Sequence, residues 1–372
     1  DANKPYKQIP MKKEDKGVWN FDIDKELHGV YYDYLITRDG KEVLTADPYA
    51  KACGINGLKS MAVNLKKTDP SGWEKDKPPK KGTEKIVYEL HVKEFSYDKS
   101  GGFPLEYRGK YKAFTCKHTT LNNDGIHPTG LDYLKELGVT HIQIMPMYDY
   151  GSVDETDDSE FNWGYDPLNY NVPEGSYATD AFHGEVRITE MKEMIQAIHG
   201  AGFGVIMDVV YNHTAKTSIF EDLEPNYYHF MDADGTPRTS FGGGRLGTTH
   251  YMSRRVLVDS IKYLTSEYKV DGFRFDMMGD HDAASIEEAY KAARALNPNL
   301  IMLGEGWKTY AGDENMPVQP ADQSWMKKTD TVAVFSDDIR NNLKSGYPNE
   351  GQPAFITGGK RDINTIFKNL IA

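Results

Sequence analysis

The chain has 372 residues, 39% of them hydrophobic and 27% charged, and its formal net charge is −12 at pH 7. No apolar run is long enough to cross a bilayer, so the sequence predicts a globular protein without a membrane span, with room for one large domain and a smaller one. The acidic balance argues against a nucleic-acid partner, because phosphate binding needs concentrated Lys and Arg.

Cysteine use and the first residues leave the compartment open. The two cysteines, Cys53 and Cys116, cannot form a disulfide framework or a four-ligand zinc site. The polar start, DANKPYKQIP, does not match a signal peptide, although a mature secreted protein would have lost one.

Residues 1–65 alternate short apolar stretches with charged turns such as ITRDGKE. This pattern predicts a small β-sandwich module, with strands at GVWNFDI, GVYYDYLI, EVLTADPYA and KSMAVNL. Residues 66–85 follow as a linker rich in Pro and Lys, which we expect to lack regular structure and to expose its charges to solvent.

From residue 86 predicted strands alternate with predicted helices. The strands are predicted at 86–96, 139–150, 202–213, 270–278, 299–307 and 331–338. The helices are predicted at 130–138, 185–202, 254–268, 284–296 and 363–372. Because the strands are nearly continuously apolar and alternate with helices, they predict an α/β fold with a parallel sheet covered by helices.

Two architectures fit this alternation, the closed (β/α)8 TIM barrel and the open doubly wound sheet. The first βα loop has no G-x-G-x-x-G motif, and polar residues gather at the C-terminal ends of several strands, which favours the barrel. Residues 86–372 then supply about six of its eight β/α units. Because the first and sixth strands would have unpaired apolar edges, we expect the remainder of the same polypeptide, or a second chain, to close the barrel.

Three of the predicted strands carry a carboxylate at or near their C-terminal ends: Asp208, Asp276 and Glu305. A barrel places its active site at that end of the sheet. Neighbouring strands lie about 5 Å apart, so Asp276 and Glu305 can approach within about 5–5.5 Å of each other. A retaining glycosidase needs this separation, because one carboxylate attacks the anomeric carbon while the other protonates the leaving oxygen.

These two carboxylates need opposite protonation states. Arg274 shares a strand face with Asp276, where its charge would keep a nucleophile ionised. Glu305 lies between two glycines and beside Trp307, near other carboxylates, which would keep an acid protonated. Taken alone, the pair of Arg274 and Asp276 is equally well a structural ion pair. Further polar residues at matching strand ends favour catalysis over that alternative; they are Asp208, Asn212 and His213.

Three segments resemble, in order, three signature regions of the α-amylase superfamily of glycoside hydrolases. They are DVVYNH (208–213), GFRFD (272–276) and GEGW (304–307). A fourth segment, FNWGYDP (161–167), resembles the YNWGYDP motif of type I pullulanases, with Phe161 where that motif usually has Tyr.

Two more stretches resemble the pullulanases. The MG-x-H run at 278–281 is similar to their pattern, whereas the amylase pattern places a Lys-His pair one step earlier, where Gly279 and Asp280 stand. The β-rich start is similar to the end of the starch-binding module that precedes the barrel in pullulanases. The resemblance therefore covers nearly the whole chain.

The resemblance implies a role for each matching residue. Asp276 would be the nucleophile, Glu305 the general acid/base, and Arg274 would orient and stabilise the nucleophile. Tyr165 would stack under the attacked glucose and Trp307 would face the sugar on the leaving-group side, because the axial C–H bonds of glucose form an apolar patch. The whole set of implied substrate contacts is Arg274, Asp208, Asn212, His213, Tyr165, Asp166, Trp163, Trp307 and His281.

Some of these assignments have structural alternatives, and one signature region is missing. Trp163 and Tyr165 fit core packing as well, and Asp280 and His281 fit a cap at the N-terminus of the following helix. No His-Asp pair with the aspartate that stabilises the transition state follows the GEGW segment. The only later acidic cluster is FSDDIR (335–340).

The resemblance implies a retaining glycoside hydrolase that cleaves α-1,6-glucosidic branch linkages in pullulan, glycogen and limit dextrins. The alternatives are another activity of the superfamily, either α-1,4 hydrolysis or glucan transfer, and a non-catalytic surface protein that binds α-glucans. This chemistry requires no cofactor; a structural Ca²⁺ is compatible with the superfamily, but no spaced oxygen-ligand loop locates one. By resemblance we expect a bacterial protein outside the cell or at its surface, with a cytoplasmic location as the alternative.

Overall fold

The computed structural model describes residues 7–80, 82–240, 243–313, 315–347, 349–360 and 362–370. The described part of the first 65 residues contains seven short strands: β1 Lys12–Lys13, β2 Trp19–Asn20, β3 Val30–Tyr32, β4 Tyr34–Arg38, β5 Lys41–Thr45, β6 Ala52–Cys53 and β7 Ser60–Ala62. Strands β4 and β5 form an antiparallel hairpin, and β3, β7 and β6 form an antiparallel sheet. The predicted strand GVYYDYLI is therefore two strands, because its halves pair with different partners.

The predicted linker packs against the barrel. It forms 3-10 turns at Leu65–Thr68 and Trp73–Lys75, and the Trp73 ring is buried. Asp76 lies 2.8 Å from Nδ1 of the buried His199. The expectation that the linker lacks regular structure is wrong here, because an indole ring and a carboxylate find partners on the barrel that the Pro and Lys content does not reveal. The lysines at its surface are exposed, as predicted: Lys66, Lys67, Lys75, Lys77, Lys80 and Lys85.

The rest of the described chain alternates strands and helices. Its strands are β8 Val87–Leu90, β9 His141–Ile144, β10 Tyr148–Tyr150, β11 Pro167–Pro173, β12 Gly204–Val209, β13 His213–Thr214, β14 Thr239–Ser240, β15 Gly243–Arg245, β16 Gly272–Phe275, β17 Ile301–Gly304 and β18 Ala333–Val334. Its helices are α1 Gly130–Glu136, α2 Gly184–Gly200, α3 Ser218–Glu221, α4 Tyr251–Glu267, α5 Ala283–Leu296, α6 Asp337–Leu343 and α7 Ile363–Leu370. Within the described ranges, none of these helices has the length and apolar character to cross a membrane.

Six strands form one parallel sheet in the order β18-β17-β16-β12-β9-β8. In a doubly wound sheet the first strands are added on one side and the later strands on the other side of the first strand. In this sheet each new strand is added on the same side. Helices α1, α2, α4 and α5 occur in the connections between successive strands of this sheet. The order and the connections are those of a (β/α)8 barrel, and the six strands make up the predicted partial barrel.

The predicted strands contain the six observed strands of the parallel sheet but are longer, and the strands β11, β14 and β15 were not predicted. Residues 148–150 leave the sheet and form an antiparallel hairpin of β10 with β11. Residues 337–338 begin α6 instead of ending a strand, because Ser336 Oγ accepts from Ile339 N at 3.3 Å and caps the helix. The last two residues of the predicted helix 363–372 lie outside the described residues.

Burial differs between the middle and the edge of the sheet. Every residue of β9, β12 and β16 is buried, as expected for parallel strands covered on both faces. In the edge strand β8, Val87 and Tyr88 are 38% and 37% exposed. The middle strands therefore form a buried base for the polar residues at their C-terminal ends.

Candidate active site

Two predicted catalytic residues and two predicted substrate contacts meet at the C-terminal ends of neighbouring strands. Asp208 lies in β12 and Arg274 in β16, and the register of this strand pair places them side by side. Asp276 and Glu305 directly follow the last residues of β16 and β17. Because parallel strands end at the same edge of a sheet, the four side chains lie together at that edge.

Arg274 contacts all three carboxylates. Its Nη1 lies 3.0 Å from Asp208 Oδ1 and 3.2 Å from Asp276 Oδ1, and its Nη2 lies 2.7 Å from Glu305 Oε1. The predicted pair with Asp276 is present, and two further acids share the same guanidinium. Arg274 is 6% exposed, so these charge-assisted contacts are largely removed from water. Three acids share one cation here, whereas a structural ion pair needs only one.

Burial has the largest influence on the pKa of two of these acids, Asp208 and Asp276. Burial raises the pKa of Asp276 to about 7; Arg274 opposes that shift and Glu305 adds to it. Burial likewise raises the pKa of Asp208 to about 8, against the influence of Arg274. The expectation that Arg274 keeps Asp276 ionised is right in direction. It is wrong in extent, because one guanidinium serves three acids in a site with little water.

The turn after β16 holds Glu305 in place. Met277 has a left-handed backbone, with a φ of 42°, and its N–H donates to Glu305 Oε2 at 3.1 Å. The Gly279 N–H donates to Glu305 O at 2.9 Å, and a Cβ at Gly279 would lie 1.7 Å from the carbonyl oxygen of Trp307. Only glycine fits at that position. The predicted strand 270–278 is therefore too long, because the chain turns after Phe275 to make these contacts.

The segment FNWGYDP reaches the site through Tyr165. Its hydroxyl donates to Asp208 Oδ2 at 2.9 Å, and its carbonyl oxygen accepts from His213 Nε2 at 2.7 Å. Asn212 Nδ2 donates to His213 Nδ1 at 3.0 Å, which fits a neutral imidazole with its proton on Nε2. Burial lowers the pKa of His213, which favours this neutral form. Tyr165 also packs against the core, as the structural alternative predicted.

Aromatic side chains lie near the same edge of the sheet. Trp163 is 62% exposed, so the core-packing alternative is wrong for this residue, and Trp307 is half-buried. The carboxylate of Asp166 accepts from the asparagine amide of its own motif at 3.2 Å, which orders that loop. The ring centre of Phe335 lies 5.7 Å from the guanidinium carbon of Arg274. Sequence analysis missed Phe335, although its position directly after β18 points to this edge.

The end of the MG-x-H run is buried. His281 is fully buried, its ring lies edge-on to Phe275 with 6.1 Å between ring centres, and burial lowers its pKa to about 4. This burial leaves the ring no surface for direct contact with a sugar in the observed conformation. The helix-cap alternative is wrong for Asp280 and His281. The cap of α5 is the next residue, Asp282, whose Oδ2 accepts from Ser285 N at 3.0 Å.

A second acidic group lies in the interior, with carboxylate oxygens within 4.8 Å of one another: Asp149, Glu155 and Glu174. In the described part of the chain, this is the group that could hold a metal ion. The fully buried Arg187 donates to Glu155 from Nη1 at 2.9 Å and from Nη2 at 2.7 Å. Calcium takes about six to eight oxygen ligands, and a guanidinium already bonded to the acids repels a cation. The donor set therefore fits calcium poorly. The sequence does not predict this group, because its members come together only through the pairing of β10, which contains Asp149, with β11, which Glu174 directly follows.

Comparisons with known proteins cover the whole chain. The family model for the alpha amylase catalytic domain matches residues 121–235, and that for carbohydrate-binding module 48 (isoamylase N-terminal domain) matches residues 1–50. The chain is 56% identical over 405 residues to Pullulanase A of Streptococcus pneumoniae serotype 2, which covers 100% of this chain and 31% of that protein.

Two solved structures share the fold. The catalytic module of the multi-modular glycogen-degrading pneumococcal virulence factor SpuA matches with a TM-score of 0.88 at 55% identity, over 97% of this chain and 54% of that one. The group B Streptococcus pullulanase SAP, in complex with maltotetraose, matches with a TM-score of 0.88 at 52% identity, over 97% of this chain and 48% of that one. The chain thus spans less than a third of the curated relative and about half of each solved chain. From its sequence and its fold, this chain belongs to the pullulanase family within the α-amylase superfamily of glycoside hydrolases.

Proposed function

We propose that this chain carries the catalytic centre of a retaining glycoside hydrolase that cleaves α-1,6-glucosidic branch linkages in pullulan, glycogen and limit dextrins. One observation carries the proposal: a single buried arginine joins three carboxylates at neighbouring strand ends. The relatives support the linkage, because those matched above are named as pullulanases or as a glycogen-degrading protein.

The reaction divides between two carboxylates. A carboxylate oxygen of Asp276 forms a bond to the anomeric carbon while the glycosidic C–O bond breaks, and Glu305 gives its proton to the departing oxygen. Water then hydrolyses the resulting glycosyl ester, with Glu305 taking the proton from that water. Arg274 favours the ionised form of Asp276 and, by contacting both acids, fixes their relative orientation.

The attacked glucose occupies the space above Asp208. The hydrogen bond from Tyr165 places an aromatic ring beside that carboxylate, where the ring can stack on the sugar. The exposed Trp163 and the half-buried Trp307 offer further aromatic faces. The remaining polar members of the proposed pocket are Asp166, Asn212 and His213, and each is held by the contacts described above.

Closure of the barrel involves two further strands. The edge strand β8 exposes apolar side chains, and Ile86 just before it is 52% exposed. An exposed apolar strand edge is a template for pairing with another strand. We propose that the remainder of the same polypeptide supplies the missing strands, one of which pairs with β8 and the other with β18.

The chain divides into three parts in this proposal. Residues 1–65 form the end of a starch-binding-like β-sandwich module, which the match to carbohydrate-binding module 48 supports. Residues 66–85 link that module to residues 86–372, the N-terminal three quarters of the barrel. We place the protein outside a bacterial cell or at its surface, because a close relative is described as a virulence factor. Detection of the protein only in the cytosolic fraction of its host would contradict this location.

Product analysis on pullulan tests the proposed reaction. The chain is assayed alone and fused to the C-terminal segment of the matched pneumococcal Pullulanase A, so that the barrel can close. We expect maltotriose as the main product, formed by the fusion and abolished by Asp276→Asn. Panose as the main product would instead indicate α-1,4 hydrolysis, and glycogen binding without turnover would indicate a binding protein.

A further inference from the structure

Two segments that extend from the proposed site contact each other. The first, here called the excursion, comprises residues 213–240 and 243–250, between β12 and α4. The second, here called the β17 loop, comprises residues 306–313 and directly follows Glu305. The β17 loop therefore continues the backbone that carries Glu305.

Two arginines of the excursion bind the backbone of the β17 loop. Arg245 Nη1 donates to Thr309 O at 3.0 Å, and Arg238 Nη1 donates to Gly312 O. These bonds end on carbonyl oxygens, so they do not depend on the side chains of the loop.

The end of the loop is held by a pair of side chains. His250 Nε2 lies 2.7 Å from Asp313 Oδ2, and His250 Nδ1 lies 2.5 Å from the carbonyl oxygen of Tyr227. The His250 ring also packs edge-on against Phe230, with 5.7 Å between ring centres. Both ring nitrogens face acceptors, which fixes the direction of the imidazole. Because His250 directly precedes α4, Asp313 is tied to the start of a helix of 17 residues.

We propose that His250 and Asp313 form a positioning pair for the general acid/base: they clamp the β17 loop onto the excursion and thereby align Glu305 with the leaving oxygen. This inference rests on the proposed function. The Glu305 carboxylate has its own anchors in Arg274 and the Met277 N–H, but its backbone continues straight into the clamped loop. A displacement of about 1 Å at a reacting group can cost about 100-fold in rate.

Two substrates with different leaving groups distinguish a misplaced Glu305 from general damage to the site. A glucan oxygen must receive a proton as it leaves, whereas fluoride departs as an anion without one. With α-maltotriosyl fluoride the first step is complete when Asp276 bonds to the anomeric carbon and the C–F bond breaks. A misplaced acid should therefore lower kcat/KM on pullulan far more than kcat/KM on the fluoride.

The variants Asp313→Ala and Asp313→Asn test the pair, in the chain or in the fusion, whichever hydrolyses pullulan. We expect Asp313→Ala to lower kcat/KM on pullulan by about 10- to 100-fold and on the fluoride by less than about threefold. Asp313→Asn keeps an oxygen that accepts from His250 and should recover most of the activity. The matched control is Asp124→Ala, which removes the acid of an exposed pair in which Asp124 Oδ2 lies 2.6 Å from His127 Nδ1; it should change neither rate.

Hydrogen exchange gives a readout that does not depend on activity. The amides of residues 306–313 should exchange faster in Asp313→Ala than in the wild type, with an unchanged melting temperature. Equal losses on both substrates, no loss on either, or unchanged exchange in this segment would overturn the proposal. If the wild type hydrolyses neither substrate, the proposed function fails, and the exchange measurement alone decides whether the pair holds the loop.

Discussion

His199 joins the linker to the barrel, and its protonation makes the stability of the protein depend on pH. Its Nδ1 lies 2.8 Å from Asp76 and its Nε2 lies 3.0 Å from Asp271, with the imidazole almost fully buried. Burial, the largest single influence, lowers the pKa of His199, but the hydrogen bonds to the two carboxylates together raise it to about 9. The charged imidazole therefore stabilises the folded state.

The size of this contribution follows from the two pKa values. The difference between the ordinary pKa of 6.5 and about 9 corresponds to roughly 3 kcal/mol of unfolding free energy. Because the pKa is higher in the folded state, this stability is fully present below about pH 6.5 and is lost as the pH rises through about 9. His199→Gln cannot titrate and should lack this pH dependence.

Urea unfolding at about pH 6 and about pH 10 measures the effect. Between these pH values the unfolding free energy of the wild type should fall by about 3 kcal/mol more than that of His199→Gln. His127→Gln, at the exposed histidine paired with Asp124, is the control and should follow the wild type. If the wild type and His199→Gln lose stability in parallel, the stabilisation by a charged His199 between Asp76 and Asp271 is refuted.

Three further predictions concern the site. With Asp276 as nucleophile, kcat/KM should fall about tenfold per pH unit below its pKa of about 7, because only the ionised carboxylate attacks; a flat profile between about pH 5 and 7 contradicts this. Gly279→Ala should lower the unfolding free energy by roughly 1–3 kcal/mol in urea titrations, because its Cβ meets the Trp307 carbonyl; wild-type stability would refute this close packing. Tyr165→Phe should lower kcat/KM on pullulan by about tenfold, since Asp208 loses a donor; unchanged constants argue against its place in the pocket.

The parallel sheet and the site at its edge were predictable from sequence because both depend on local patterns. An apolar run between helices predicts a buried parallel strand, and a carboxylate just after that run must lie at the common edge. Asp276 and Glu305 satisfy this rule, and Asp208 lies at the end of β12, one residue before its last. Arg274 lies among them for two reasons. It shares a strand face with Asp276, because side chains alternate along a strand, and the register of β12 with β16 places it beside Asp208.

The contacts that sequence analysis missed join segments far apart in the chain. Asp313 meets His250 across 63 positions, and Arg187 meets Glu155 across 32. Neither residue of such a pair carries a local signal, since a charged side chain in a loop is usually solvated. The pKa of Asp276 was misjudged for a related reason. The sequence predicts that the three acids lie close together, whereas the fold alone shows that all three contact the same buried arginine.

The most direct test of the central claim is to locate the sugar on the protein midway through the reaction. A 5-fluoro derivative of α-maltotriosyl fluoride is used to slow hydrolysis of the glycosyl ester, so that mass spectrometry of peptides can find the modified residue. The account predicts a maltotriosyl adduct on Asp276 that is absent from Asp276→Asn. An adduct on Glu305, or turnover of pullulan to an inverted product without any adduct, would contradict it.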